Sequence, residues 1–444
     1  MNGSVRSKSK FGYFCLLVSL ISVPDTAFAD EPTFAKDVAP IFREKCEACH
    51  RPGNMAPMSL VTYAEARPWA RSIRTRVARR DMPPWHIDKT VGIQKFKNDR
   101  SLTDKQIDTI VRWVDAGAPL GNPADLPPAE KWNDEAWTIG KPDVIITTPE
   151  KVMYANGPDI WIDHVVESGL TEDRYVQAIE TRPSRTGRRV VHHASTYLIQ
   201  DDDTVLSAFG EPRPITSVDE TSGGRLGEFA PGKYGDIFAD NTGILIKAGS
   251  KIRFNMHYFA IGEEVTASTS IGLVLYPKGV VPKYRVIDPN MGGGCCRDLD
   301  IPANTITRHD HYFPLKKPAR LLSYQPHMHM RGKAQSVSAI YPDGRTEMLS
   351  NVDRFDFNWH VSYVYDDDVA PLLPAGTLLH YVGIHDNTAA NPRNPDPTQW
   401  VGFGDRSIDD MFQVHSNLVY LEEEDYKRQV AEREAKKRKA GELR

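Results

Sequence analysis

Cysteine is scarce in this chain: five of its 444 residues, of which one falls within the first 29 positions. Those 29 positions have the marks of an export signal, with Arg6, Lys8 and Lys10 ahead of an apolar stretch at 11–23 and Ala27-Phe28-Ala29 before Asp30. After cleavage Cys46, Cys49, Cys295 and Cys296 remain. That is too few for a disulfide scaffold in an exported protein of about 415 residues, so stability has to come from packed cores. Long apolar runs are missing as well. The stretch at 11–23 is too short for a stable bilayer span and no later segment is long enough, which argues against an integral membrane protein. Charge of one sign is also lacking: loss of Arg6, Lys8, Lys10 and Asp25 takes the formal net charge only from -4 to -6, so nucleic acid is not an expected partner.

The remaining length allows roughly three domains. Residues 30–120 read as helical. The clearest piece is 104–116, where Ile107, Ile110, Val111 and Val114 recur at helical spacing. Thr103 with Gln106 resembles a capping box, and Gly117 and Pro119 stop the helix. Residues 121–143, rich in Pro, Asn and Asp, read as a linker whose composition allows motion. Beyond Val144 the texture changes to short Val, Ile, Tyr and Phe runs at 190–199, 251–259 and 270–276, cut by turn residues. That is the pattern of antiparallel sandwiches, and two all-β units are expected, 144–305 and 306–423. Residues 424–444 read as a charged, solvated helical tail.

Cys46-Glu47-Ala48-Cys49-His50 has the spacing that attaches haem c through two thioethers and makes the adjacent histidine an axial ligand. For the sixth position Met82, in Asp81-Met82-Pro83-Pro84-Trp85, is preferred to Met55 and Met58, which would have to fold straight back; His86 is a rival. The segment 34–119 resembles class I c-type cytochromes, a resemblance that implies Met82 as the ligand. A haem site in an exported chain points to a bacterial periplasm.

Histidines in the second half form the other constellation. His192 and His193 are neighbours on an expected strand, where side chains alternate, so ligation by both needs a bulge or different ring nitrogens. His257 ends another strand, and three neutral imidazoles make a good copper site. In His327-Met328-His329 the period of two puts both rings on one strand face, and Met411 adds a soft thioether that favours Cu(I). His309 and His311 form a rival pair with no evident third ligand. His164, His360, His380 and His385 read as structural, and His415 as a pocket or core group.

In their order and context these motifs resemble the copper type II ascorbate-dependent monooxygenases, the family of the peptide-amidating and dopamine-hydroxylating enzymes. The matching elements are His192-His193, His257-Tyr258, His327-Met328-His329 and Asp409-Asp410-Met411, over about 144–423. The resemblance implies two sandwich domains. One copper would sit on His192, His193 and His257 and store an electron; the other, on His327, His329 and Met411, would meet dioxygen beside a substrate C–H bond. Gln325 and His415 stand where amidating enzymes use arginine and tyrosine for the peptide carboxylate, which disfavours peptide amidation. Phe412 replaces the usual cysteine, and Cys295-Cys296 could form a vicinal disulfide, pair with another chain or stay as thiols. The expected activity is hydroxylation of a small organic molecule by O2, with electrons arriving through the haem from a periplasmic donor. The alternative is a copper-binding electron carrier or copper-handling protein without hydroxylase activity.

Overall fold

The computed structural model describes residues 1, 3, 31–133, 136–200, 224–230, 233, 235–288, 298–404 and 406–441. Residues 4–29 of the expected signal, and Cys295-Cys296, lie outside the described residues. The chain is mostly β-sheet with a few helices.

The helices Phe34–Val38, Ala39–Lys45, Tyr63–Ala66, Ala70–Ala78 and Asp104–Asp115 lie together near the start of the described chain. The last follows its sequence signals. Thr103 accepts from the Gln106 amide while the Gln106 side chain accepts from the Thr103 amide, and Gly117, at φ +89°, turns the chain out of the helix. The helix buries Ile110 and Trp113, and the Trp113 ring lies 5.9 Å from Phe34 and 6.2 Å from Phe42.

The β region has two cores. In the first, the antiparallel sheet of Ile160–Glu167, Lys251–Tyr258, Val191–Ile199 and Arg225–Phe229 shares one apolar cluster with the strands Arg174–Pro183, Thr242–Ile246 and Thr269–Leu275. That is a sheet-on-sheet packing. In the second, the sheet of Ile306–Pro314, Leu378–Asp386, Gly332–Ile340 and Thr346–Val352 packs with Tyr363–Val364, Ser323–His327 and Gln413–His415. The two halves are not separate beads. Tyr284–Ile287 pairs in parallel with Thr242–Ile246 on one side and antiparallel with Leu418–Tyr420 on the other, so one sheet runs from the first core into the second.

Two segments depart from the sequence reading: residues 85–98, which fell within the expected helical stretch 30–120, and the expected linker 121–143. Residues 85–98 leave the helices and lie against the second β core. Ile87 bridges Val352 and Phe96 bridges Tyr365, while the Trp85 ring sits 4.8 Å from Tyr363. The expected linker is pinned along its length. Pro127 O accepts from Arg43, Trp132 donates to Glu47, and Thr138 donates to the buried Glu180. These contacts join the segment to the helical region at one end and to the first β core at the other.

The C-terminal helix Glu423–Lys439 has Glu423, Glu424 and Asp425 in its first turn and basic residues in its last, matching the helix dipole. Asp425 pairs with Lys283, and Arg433 donates to Ala370 O at 2.8 Å, so it is fastened to both β units. Among the described residues no helix is long and apolar enough to cross a membrane.

Candidate metal centres

The first centre starts from a register fault. Along the pair Val191–Ile199 and Lys251–Tyr258, Val191 faces Tyr258 and His193 already faces His257, so His192 is the extra residue of a bulge. That bulge removes the alternation that would have sent the two imidazoles to opposite faces. His192 Nδ1 and His193 Nδ1 stand 3.2 Å apart, and ligand atoms of His192, His193 and His257 all lie within 4.8 Å of one another. His257 Nε2 is 2.9 Å from Asp159 Oδ2. A carboxylate accepts, so Nε2 carries the proton and Nδ1 keeps its lone pair; Nδ1 is buried and without a hydrogen-bond partner. The Trp161 ring stacks on His257 at 4.3 Å and 15°, fixing its plane. Burial, reinforced by the neighbouring His257, pushes His192 down to about 4, and burial lowers His193 and His257 too. Three neutral imidazoles converge here, the form in which histidine binds a metal ion.

The second set is arranged differently from the expectation. The strand Ser323–His327 ends at His327, and His329 lies in the turn beyond it, so strand alternation does not bring the two together. Asp410 does. Fully buried, it accepts from the amides of His329 at 2.8 Å, Arg331 at 3.0 Å and Met411 at 2.9 Å, bending the chain so that the His327 and His329 rings stand 5.4 Å apart. His329 Nδ1 is 3.0 Å from Arg406 O and 3.2 Å from Asp409 O. Carbonyls only accept, so Nδ1 carries the proton and Nε2 is left for a ligand. Gln413 pairs with His327, which carries the buried Met411 to the same corner; its carbonyl accepts from His385 Nε2 at 3.1 Å. Phe412 lies against Gly383, where a Cβ would come within 2.7 Å of the ring. Gln325 donates to Glu228 at 2.6 Å and His415 stands 5.8 Å from His327; both line a polar cavity with Arg225, Lys233 and Asp288.

One residue that sequence reasoning set aside belongs in this region. His360 is 2% exposed, and its ring lies 4.7 Å from His327, 5.7 Å from His193 and 6.0 Å from His192. Phe357, from the same loop, stacks on His192 at 5.3 Å and meets His329 at 5.6 Å. The only local signal is the aromatic run Phe355-Asp356-Phe357-Asn358-Trp359, which has no period and no metal spacing. His309, two residues before His311 on the strand Ile306–Pro314, also stands 5.1 Å from the His385 ring.

In the helical region Cys46 and Cys49 are free thiols one helical turn apart, with the Cys49 and His50 amides both donating to Cys46 O. Burial pushes the Cys46 thiol up to about 12. His50 Nδ1 donates to Met58 O at 3.2 Å, leaving Nε2 as the free lone pair. The Met58 backbone therefore sits behind the ring, on the side away from Nε2. Met82 lines a small cavity with Val77, Leu102 and Ile107 of the helical core and Trp85, Ile87 and Arg354 of the docked segment and β unit. His86 is buried, and its amide donates to Tyr363 Oη at 3.2 Å.

No protein-family model matches this chain, and no curated protein matches it. Among solved structures it is weakly similar to PNGF-II, with 12% identity over 66% of this chain and a TM-score of 0.25. A putative α-L-fucosidase from Bacteroides ovatus gives 9% identity over 66% of this chain and a TM-score of 0.16. The chain spans 64% of the first of these proteins and 41% of the second. An oxalate decarboxylase of Bacillus subtilis gives 7% identity and a TM-score of 0.14. Likeness at this level carries no functional argument.

Proposed function

We propose that this chain is a periplasmic, haem-linked dicopper monooxygenase that hydroxylates a C–H bond of a small organic substrate. The helical unit is read as a class I c-type cytochrome and the two β units as jelly-roll-like sandwiches carrying one copper each. The observation that carries the proposal is the convergence of His192, His193 and His257, with Asp159 fixing the proton on the far nitrogen of His257.

The donor sets suit copper: imidazoles alone at the first centre, imidazoles with a thioether at His327, His329 and Met411. Zinc and the hard cations do not call for methionine. For haem, free Cys46 and Cys49 and a His50 ring presenting Nε2 suit covalent attachment, with Met82 as the proposed sixth ligand. Bound here, copper supplies one-electron storage at the first centre and dioxygen reduction at the second, with haem as the entry for electrons from a periplasmic donor.

The protein's own part is orientation. Asp159 and Trp161 hold His257, the Arg406 and Asp409 carbonyls hold His329, and Asp410 ties the Met411 segment to the His329 turn. The polar cavity at Arg225, Gln325 and His415 lies next to His327 and is the proposed approach for a substrate with polar groups. The net reaction is R–H + O2 + two electrons + two protons giving R–OH + H2O.

The test is metal content first: protein exported to an oxidising compartment and reconstituted with copper should hold two coppers per covalent haem. Met411→Ala and His257→Ala should each weaken one copper. One copper or none overturns the proposal. Two coppers, but no 18O from 18O2 in any product across a substrate screen, would instead favour a copper electron carrier.

A further inference from the structure

The near balance of charge over the whole chain, 55 Lys and Arg against 59 Asp and Glu, hides a local excess. Residues 31–120 hold sixteen basic residues against eleven acidic ones. Six of the sixteen are Arg67, Arg71, Arg74, Arg76, Arg79 and Arg80, and no acidic residue stands between Glu65 and Asp81. The helical period decides where these arginines go. Ala66, Ala70, Ile73 and Val77 recur at that spacing and are buried in the helical core, which leaves the arginine positions for the outer surface. Arg67, Arg71, Arg76 and Arg79 are exposed there. Arg74, Arg76 and Arg80 pair with Asp115, Asp81 and Asp104. Arg67, Arg71 and Arg79 have no acidic partner among the described residues.

Trp69 says what such a surface takes. It lies in the short turn Arg67–Trp69, between Arg67 and Arg71, and is 45% exposed. Tryptophan and arginine carry much of the binding energy in protein interfaces, whereas lysine and glutamate are the residues depleted there. A membrane surface fits less well. Among the exposed residues of 63–80 Trp69 is the one large apolar side chain, so the face has no apolar row to lay into a bilayer. The arginine segment also runs directly into Met82, and Arg80 lines the same small cavity as Met82. The charged face therefore adjoins the residue proposed to complete the haem.

We propose that the arginine face of residues 67–79, with Trp69, is the docking surface for the electron donor, and that this donor is an acidic one-electron carrier protein. The inference rests on the haem reading above and names the kind of partner that reading left open. In the complex, carboxylates of the partner face Arg67, Arg71 and Arg79, and Trp69 is covered. One electron passes: the partner is oxidised by one electron, the haem iron goes from Fe(III) to Fe(II), and no proton moves. Opposite charge speeds an encounter of this kind about 10- to 1000-fold, and salt removes the gain as the Debye length shortens.

The experiment uses the full-length, metal-loaded protein and an acidic flavodoxin as the probe. Binding is measured by calorimetric titration with both proteins oxidised, and haem reduction by the reduced flavodoxin is followed by stopped-flow absorbance, at about 0.01 M and about 0.15 M ionic strength. Arg67→Glu/Arg71→Glu should lower the association rate at least about tenfold at the lower ionic strength, and the gap from wild type should narrow at the higher one. Trp69→Ser should weaken binding equally at both. The control Lys436→Glu/Lys437→Glu, on the C-terminal helix, makes the same change in net charge and should behave as wild type. Equal loss in the control, or a wild-type rate that does not fall with salt, overturns the docking surface and leaves the haem reading standing. Binding of wild type to vesicles containing phosphatidylglycerol but not to flavodoxin overturns it in favour of a membrane surface. A wild type that carries no covalent haem overturns the haem reading and the electron transfer together. Unchanged haem and copper content in the variants serves as the check on folding.

Discussion

At the scale of single residues, three of the candidate ligands depend on a partner that decides which ring nitrogen is free. His257 depends on Asp159, His329 on the carbonyls of Arg406 and Asp409, and His50 on Met58 O. Outer partners of this kind typically change metal affinity 10- to 100-fold when removed, because ring orientation and basicity are lost together. Asp159→Asn should therefore weaken the first metal about 10- to 100-fold while leaving the second unaffected, as read by chelator competition. Equal affinity in the variant would show that Trp161 stacking alone holds the ring. Asp410 works on the backbone: its carboxylate receives three amides, and the geometry of the second centre follows from that one buried acceptor.

At the scale of elements, strand pairs bring remote chemistry together and also set local stability. On Ile306–Pro314, Asp310 accepts from Arg308 at 2.7 and 2.8 Å, and His380 of the paired strand lies 2.6 Å away. The Arg308 hydrogen bonds come first among the causes that take Asp310 from 3.8 down to about 2, against a smaller opposing effect of burial. A carboxylate with a depressed folded-state pKa stabilises the fold at pH values above its unfolded pKa and ceases to do so as pH falls through the folded one. Asp310→Asn should accordingly cost up to about 1 kcal/mol at neutral pH, small because the group is partly exposed. The difference from wild type should hold down to about pH 5 and shrink between about pH 4 and pH 2, followed by urea denaturation. A gap that persists unchanged at the acid end would assign the loss to packing instead.

At the scale of the whole molecule, the helical unit is not a free appendage. Trp85 and Phe96, 5.7 Å apart, insert beside Tyr363 and Tyr365 of the second β core, and Arg354 donates to Arg79 O at 2.8 Å. Truncating a buried tryptophan of this kind costs about 3–5 kcal/mol. Trp85→Ala should release the docked segment. Limited proteolysis should then cut within residues 83–98 where wild type resists, and urea should melt the helical region ahead of the β units. A single unchanged transition would show that the pinned residues 121–143 suffice to hold the unit in place.

Read alone, the sequence determined what depends on near neighbours. The Thr103–Gln106 box and the helix after it, the strands at 191–199, 251–258 and 269–275, and the Cys46-Cys49-His50 turn are set by spacing, capping and alternation within a few residues. Two alternatives were legible at His192-His193, a bulge or the use of different ring nitrogens, since adjacent imidazoles do not share one face of a regular strand, and the fold takes the bulge. His327 and His329 were expected on one strand face, but the strand ends at His327, and a carboxylate 81 residues beyond His329 makes the turn that sets their rings 5.4 Å apart. What only the tertiary structure decided are the long-range partners: Asp159 on His257, 98 residues apart, and His360 between two sets on different β units. The docking of residues 85–98 on the second core belongs with them. Such contacts form when sheets close on each other and bury polar groups that must then find acceptors, and no local period in the chain records where those acceptors lie.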